Sequence, residues 1–247
     1  MGFTMRGRVW RPQIQTLPKH HRVITFDHRG LGDSEGSDDW FTMADMAGDA
    51  LGVLDEAGWP SAHVVGVSMG GMIAQEIALR APERIRSLAL IATHGGGRTA
   101  WIPGFAGLRG LLSAASADPQ KRARGLQRML YPEEWVRTQD PNSFLSSLED
   151  RLSYRAPGRT TLRQLRAVAR HRALNRLGAI SAKTLVILPE KDVLIDPRNS
   201  ERLAEVLPNC ELVRFPQAGH GIIHQEAPAL NAQLLAHFEE CESTFTG

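Results

Sequence analysis

Short apolar runs alternate with segments of helical periodicity along most of the chain. A short apolar run that is rich in β-branched residues is typical of a buried strand in a parallel sheet. Such runs occupy residues 22–26, 63–67, 87–92, 184–188 and 211–215. The pattern therefore predicts a strand at each of them.

Helical patterns lie between most of these runs. Apolar residues recur with helical spacing over residues 42–57, 69–80 and 227–240. Asp196 and Pro197 form a capping pair that predicts the start of another helix. Strands that alternate with helices indicate an α/β fold, in which helices cover both faces of a mostly parallel, doubly wound sheet.

The alternation breaks over residues 98–178, between the third and fourth apolar runs. This stretch is rich in arginine and prone to form helices, and prolines divide it at positions 103, 119, 132, 141 and 157. We expect a helical lid or cap insertion there. The core of the fold would then comprise residues 1–97 and 179–247.

Composition narrows the class of protein. A chain of 247 residues that is 42% hydrophobic can bury the core of one such domain. Its two cysteines are too few for a disulfide framework, which favours a reducing, cytoplasmic setting. No stretch approaches the ~20 apolar residues of a membrane span, so stable membrane insertion is not expected. A net charge of +2 argues against a nucleic acid partner.

The charge is unevenly distributed. Residues 105–178 contain thirteen arginines and one lysine against six acidic residues, a net charge of +8, which leaves −6 for the rest. Two interpretations stay open. The basic residues form either a solvated helical face or a lid that attracts acidic substrates or an anionic surface.

The candidate chemistry starts at residues 66–70, which have the sequence G-V-S-M-G. A G-x-S-x-G turn between a strand and a helix holds its serine in a strained conformation, and the flanking glycines avoid collisions. The start of the helix also offers free N–H groups where negative charge would develop. This context favours Ser68 as a nucleophile over the simpler role of a helix cap.

An acid and a histidine should follow later strands in that order. Glu190, Asp192 and Asp196 follow the fourth apolar run, and Asp192 is the preferred acid because Asp196 has a capping role and Glu190 is close to the strand end. His220 lies between two glycines after the fifth run. His220 is therefore preferred over His224, which we expect to pack on the next turn.

These segments resemble the α/β-hydrolase fold superfamily. The sequence HVVGVSMGGMIAQEIALRAPERIRSLALIATHGGG is similar to its nucleophile region, and ITFDHRGLGDS is similar to a segment that follows an earlier strand there. TLVILPEKDVLIDP and FPQAGHGIIHQEAP resemble its acid and histidine loops. The resemblance covers almost the whole chain except residues 98–178, which take the position of that family's lid.

The resemblance implies a role for each matching residue. Ser68 would be the nucleophile, His220 the general base and acid, and Asp192 the residue that orients His220. The backbone N–H of Met69 would be one oxyanion donor. Residues 1–3 align with an H-G-x segment of the family, so the N–H of Phe3 would be the second donor. The implied activity is cleavage of a small-molecule carboxylic ester through an acyl-enzyme, with no cofactor and no metal.

The beginning of the chain departs from the family pattern. The family's first strands are absent, including one that lies between the strands corresponding to residues 22–26 and 63–67. Each buried backbone group left without a partner costs about 1–3 kcal/mol. We expect one of three solutions: the chain is part of a longer protein, the sheet closes by direct pairing, or a strand is borrowed from another copy.

The same residues leave other functions open. Lactone, thioester and C–C bond hydrolysis use the same framework, and a non-catalytic or incomplete homologue is a further alternative. Nucleotide binding is disfavoured because Glu35 occupies the last glycine position of a G-x-G-x-x-G pattern over residues 30–35. Apolar lid residues either line an acyl pocket or pack the lid helices together; they are Trp101, Phe105, Leu108, Leu111 and Leu112.

Overall fold

A computed structural model describes residues 1–36, 38–97, 104–114, 116, 118–140, 144 and 154–245. Its strands are β1 (Ala62–Val67), β2 (Ile85–Ile91), β3 (Thr184–Pro189) and β4 (Cys210–Phe215). Its α-helices are α1 (Arg11–Ile14), α2 (Met43–Glu56), α3 (Met69–Arg80), α4 (Phe105–Ala114), α5 (Pro119–Leu130), α6 (Glu133–Arg137), α7 (Gly158–Arg170), α8 (Arg198–Val206), α9 (Ile222–Gln225) and α10 (Ala227–Phe245). Short 3₁₀ helices cover Gly7–Trp10, Leu17–Lys19, Pro82–Arg84 and Leu174–Ala179.

The four strands form one sheet in the order β1-β2-β3-β4, and every pair is parallel. Alternate residues of β2 point to opposite faces. Leu88 and Leu90 pack with α2, α3 and α8, whereas Ala89 and Ile91 pack with α9 and α10. The helices therefore cover both faces, which confirms the expected mostly parallel, doubly wound α/β architecture.

The strand predicted over residues 22–26 is wrong. These residues form no strand, and a cleft of about 540 Å³ separates them from β1. Apolar side chains of both core clusters line this strand cleft, among them Trp10 and Ile14 from one and Ile73 and Ile77 from the other. A strand needs a hydrogen-bonded neighbour. Because the cleft lies between them, β1 is too far from residues 22–26 to form these hydrogen bonds. Closure of the sheet by direct pairing of residues 22–26 with β1 is therefore also wrong.

Helices α4 to α7 lie between β2 and β3, within the segment expected to be helical. Helix α5 begins with Asp118 as its N-cap, whose side chain accepts from the backbone N–H of Gln120 at 2.9 Å. The backbone N–H of Gly221 donates to the carbonyl oxygen of Leu130 at 2.7 Å. This bond joins the end of α5 to the loop that carries His220.

The structure also bears on the cysteines and on membrane insertion. Cys210 and Cys241 are both free thiols. Among the described helices, none combines the length and hydropathy that a membrane crossing requires.

Candidate active site

Ser68 occupies a strained bend between β1 and α3. Its φ of 55° lies in the left-handed region, which a residue with a Cβ adopts only where the surroundings enforce it. The end of β2 holds the bend from two sides. The N–H of Ser68 donates to the carbonyl oxygen of Ile91 at 2.9 Å, and Thr93 Oγ1 donates to the carbonyl oxygen of Ser68 at 2.7 Å.

The glycines around Ser68 allow α3 to pack directly against the sheet. A Cβ on Gly66 would lie 2.3 Å from the carbonyl oxygen of Gly70, and a Cβ on Gly71 would lie 2.6 Å from Thr93 Cγ2. Both distances are far below van der Waals contact. Gly66 of the motif and the adjacent Gly71 are therefore required by the close approach of strand and helix.

His220 and Asp192 are hydrogen-bonded to each other. Asp192 follows β3 and His220 follows β4, so parallel neighbouring strands bring both loops to one edge of the sheet. His220 Nδ1 lies 2.7 Å from Asp192 Oδ2. Since an ionised carboxylate only accepts, Nδ1 carries the proton and Nε2 presents its lone pair.

The carboxylate of Asp192 is itself fixed. Its Oδ1 accepts from the backbone N–H groups of Leu194 and Ile195 at 2.8 and 2.9 Å, and its side chain is fully buried. The loop thus fixes Asp192 before any substrate binds. A fixed partner in turn sets the orientation of the His220 ring.

Glu190 and Asp196 have partners other than His220, and His224 lies on the helix that follows His220. Glu190 lies 3.4 Å from an Nη1 of Arg214, and Asp196 accepts from the backbone N–H of Arg198 at 3.0 Å near the start of α8. His224 lies on α9 and lines the same cavity as His220. The structure therefore brings Asp192, and neither of the other two acids, to His220.

Ser68 and His220 both line a cavity of about 470 Å³, called here the site cavity. The segment over residues 1–5 forms part of its wall. Helix α5 contributes Leu126 and Met129. Among the described residues Ser68 Oγ makes no hydrogen bond to His220, and such bonds often tighten only when substrate is bound.

The predicted oxyanion donors belong to Met69, which directly follows Ser68, and to Phe3, which lines the same cavity as Ser68. Met69 is the first residue of α3, where backbone N–H groups have no partner within the helix. Phe3 lines the site cavity, and a Cβ on Gly2 would lie 3.4 Å from Ser68 Cβ. Met69 is not among the described residues that line the cavity. Its assignment therefore stays a prediction.

Several residues that position the Phe3 segment were missed by sequence reasoning. Gln164 of α7 is fully buried, and its Oε1 accepts from the N–H of Thr4 at 2.9 Å. Thr4 has a φ of 57°, so this bond holds a strained residue next to Phe3. No local pattern marks Gln164 as a partner of so distant a residue.

Asp27, by contrast, lies in a segment that the sequence did single out. Its Oδ1 accepts from the N–H of Gly7 at 2.6 Å and its Oδ2 accepts from Arg6 Nε at 2.9 Å. A Cβ on Gly32, at a φ of 54°, would lie 1.7 Å from Asp27 Oδ2. The conspicuous D-x-R-G-x-G-x-S segment therefore anchors the stretch that follows Phe3.

His28 and the Met1 amine, two basic groups that lie close to each other, are buried. Burial lowers the pKa of His28 to about 3, and burial lowers the pKa of the Met1 amine to about 5. The amine nitrogen lies 3.3 Å from His28 Nε2. The buried His28 is therefore uncharged at pH 7.

Two of the predicted apolar lid residues do not line the site cavity. Phe105 and Leu108 are 81% and 54% exposed and are absent from its described lining. For them the acyl-pocket interpretation is wrong, because α4 turns these side chains to solvent. Trp101 and the side chains of Leu111 and Leu112 lie outside what the structure describes. Leu126, Met129 and Leu130 of α5 line the cavity instead.

Comparison with known proteins identifies the family. A model of the alpha/beta hydrolase fold family matches residues 2–227. The chain belongs to the α/β-hydrolase fold family. Two relatives titled "Putative carbamate hydrolase RutD", from Azorhizobium caulinodans and Variovorax paradoxus, are 31% and 32% identical to it. The alignments cover 94% and 92% of this chain and 87% and 85% of the relatives.

A solved structure is similar in fold to this α/β-hydrolase chain. A crystal structure of a hydrolase from Pseudomonas aeruginosa PA01 superposes with a TM-score of 0.78 at 25% sequence identity. The match covers 96% of this chain and 86% of that one. No group of described residues here could hold a metal ion.

Proposed function

We propose that this α/β-hydrolase is a serine hydrolase that cleaves a small-molecule carboxylic ester through an acyl-enzyme. One observation carries the proposal. Ser68, strained at a φ of 55°, lines the same cavity as His220, whose Nδ1 is bonded to Asp192. A serine, a base and an orienting acid in this arrangement are the requirements of nucleophilic acyl transfer.

The proposed chemistry proceeds in two halves. His220 Nε2 removes the proton from Ser68 Oγ as the oxygen attacks the ester carbonyl carbon. The backbone N–H groups of Met69 and Phe3 would stabilise the negative oxygen of the tetrahedral intermediate. The imidazolium then gives its proton to the leaving alcohol. In the second half water, deprotonated by His220, attacks the acyl-enzyme and releases the acid and Ser68.

A carbamate is the second candidate substrate, and the names of the two relatives favour it. A carbamate offers the same carbonyl carbon to Ser68, and attack would leave a carbamoyl group on its oxygen. Two substrates with the same leaving group distinguish the ester candidate from the carbamate candidate. We expect kcat/KM for 4-nitrophenyl acetate to exceed that for 4-nitrophenyl N-methylcarbamate. The reverse order would favour the carbamate candidate.

The proposal is tested by replacing the nucleophile. Ser68→Ala should reduce hydrolysis of 4-nitrophenyl acetate to the uncatalysed rate. Ser61→Ala is the matched control, because Ser61 lies just before β1, at the end of the strand opposite Ser68. Retention of most of the rate in Ser68→Ala would refute the serine mechanism and favour a non-catalytic homologue.

Two broader assignments belong to the same proposal. Residues 98–178 would form a lid over a core of residues 1–97 and 179–247, supported by the α5 side chains in the wall of the site cavity. A cytoplasmic setting is supported by the two free thiols.

A further inference from the structure

The charges in the wall of the site cavity are all of one sign. Among the described residues that line it, Arg122 and Arg155 carry the only side chains that are fully charged at neutral pH, and no aspartate or glutamate is present. The remaining lining is mostly apolar. An anionic part of a substrate would therefore meet two guanidinium groups and no repelling carboxylate.

Neither arginine is neutralised within the described part of the chain. Arg155 Nη2 donates to the backbone carbonyl of Ser116 at 3.2 Å, and neither side chain lies within ion-pair distance of a described carboxylate. Some arginines elsewhere in the described chain are ion-paired. Arg29 lies 2.5 Å from an oxygen of Asp49, and Arg6 lies 2.9 Å from one of Asp27.

The positions of the two residues suit a bound anion. Arg122 lies on α5 and is half-buried, and Arg155 lies shortly before α7 and is exposed. The half-buried guanidinium of Arg122 has lost part of its hydration, and it regains hydrogen bonds by donating to a planar carboxylate that fits its paired donors. Both arginines belong to the strongly basic segment over residues 105–178.

We propose that the substrate of this site carries a carboxylate group, which Arg122 and Arg155 bind while Ser68 attacks a carbonyl carbon elsewhere in the same molecule. This assignment rests on the proposed hydrolase function and names the class of substrate: short acidic esters or carbamates. It also assigns a function to part of the basic segment, since these two arginines line the cavity and select substrate.

The test compares two esters that share their reacting group. Mono-4-nitrophenyl glutarate ends in a carboxylate where 4-nitrophenyl pentanoate ends in a methyl group. We expect kcat/KM to be at least about tenfold higher for the glutarate, because charge-assisted hydrogen bonds are stronger than neutral ones. Arg122→Gln and Arg155→Gln should each remove most of this preference by lowering kcat/KM for the glutarate.

Arg124→Gln is the matched control, since Arg124 lies on the same helix but is exposed and outside the cavity lining. It should keep the full preference, whereas a loss equal to that of Arg122→Gln would indicate long-range attraction and overturn direct binding.

Equal kcat/KM for the two esters would overturn the inference while the hydrolase function stands. Failure to hydrolyse either ester would refute the proposed function itself. An equal preference for an ester ending in phosphonate would overturn the carboxylate assignment.

Discussion

Gln164 Oε1 accepts a hydrogen bond from the backbone N–H of Thr4 at 2.9 Å, across 160 positions of the sequence. The bond joins α7, in the inserted segment, to the residue that follows the proposed oxyanion donor Phe3. Thr4 is strained, with a φ of 57°, so its conformation depends on such outside support. Helix α7 therefore helps to hold the segment that carries Phe3.

Loss of this bond should slow catalysis without weakening substrate binding. In Gln164→Met the Phe3 N–H would lose its fixed position, and a small misplacement of a catalytic donor costs up to about 100-fold. We expect kcat for 4-nitrophenyl acetate to fall about 10- to 100-fold with little change in KM. Gln120→Met, at an exposed position of α5, is the control. A rise in KM at constant kcat would contradict the positioning role.

The pair of Asp192 and His220 leads to a second prediction. Asp192→Asn would keep the shape of the side chain but would favour the wrong tautomer of His220, with Nε2 protonated. The expected loss in kcat is about 10³–10⁴-fold, by analogy with other serine hydrolases. Asp196→Asn changes a neighbouring acid that accepts from Arg198, and it should retain near-normal turnover. Comparable losses in both variants would remove Asp192 from its assigned role.

The strand cleft between residues 22–26 and β1 leads to a third prediction. Met1 lies beside Gly70, at the carboxyl end of β1, so an extended segment placed ahead of Met1 would run through the cleft parallel to β1. Six β-forming residues of alternating valine and threonine, fused before Met1, should raise Tm. Each kcal/mol gained is worth about 2–4 °C in a domain of this size.

A Gly-Ser extension of the same length is the control for that fusion. It cannot fill the apolar cleft and should leave Tm unchanged. Equal shifts from both extensions would show that the cleft does not accept a strand.

Buried histidines make stability depend on pH. Burial, with smaller contributions from His94 and two arginines, lowers the pKa of His171 to about 3 from the ordinary 6.5. The unfolded chain therefore binds a proton near pH 6.5 that the folded chain does not bind until about pH 3. The free energy of unfolding should fall as pH falls through this window, by about 1.4 kcal/mol per pH unit for one histidine.

His171→Gln isolates that contribution. Between pH 6 and 4 the slope of unfolding free energy against pH, measured by urea denaturation, should decrease by that amount. The slope is the useful quantity because the substitution also changes stability itself. His20 is exposed, and His20→Gln should leave the slope as it is. An unaltered slope in His171→Gln would show that His171 is not held neutral by the fold.

Local sequence patterns were sufficient to predict most strands and helices of the core. The apolar runs at β1 to β4 and the helix from Met69 to Arg80 were predicted within a few residues, because each is marked by its own periodicity. The motifs at Ser68, Asp192 and His220 likewise lie at the ends of strands, where the chain order alone places them together at one sheet edge.

Other features depend on contacts that no local pattern records. Residues 22–26 have the composition of a strand, but they lack a neighbour within hydrogen-bonding reach. The orientation of Phe105 and Leu108 depends on how α4 lies on the rest of the fold. In the sequence Gln164 is an ordinary polar residue of a helix. Its hydrogen bond to Thr4 arises only from tertiary packing.

The most direct test of the account is to locate a covalent adduct. The protein would be treated with a fluorophosphonate probe and digested, and the peptide containing Ser68 would be examined by mass spectrometry. We expect one probe per chain on Ser68, with labelling at least about 100-fold slower in His220→Ala, because His220 supplies the base. Labelling at another residue, or an equal rate without His220, would contradict the claim that Ser68 is an activated nucleophile.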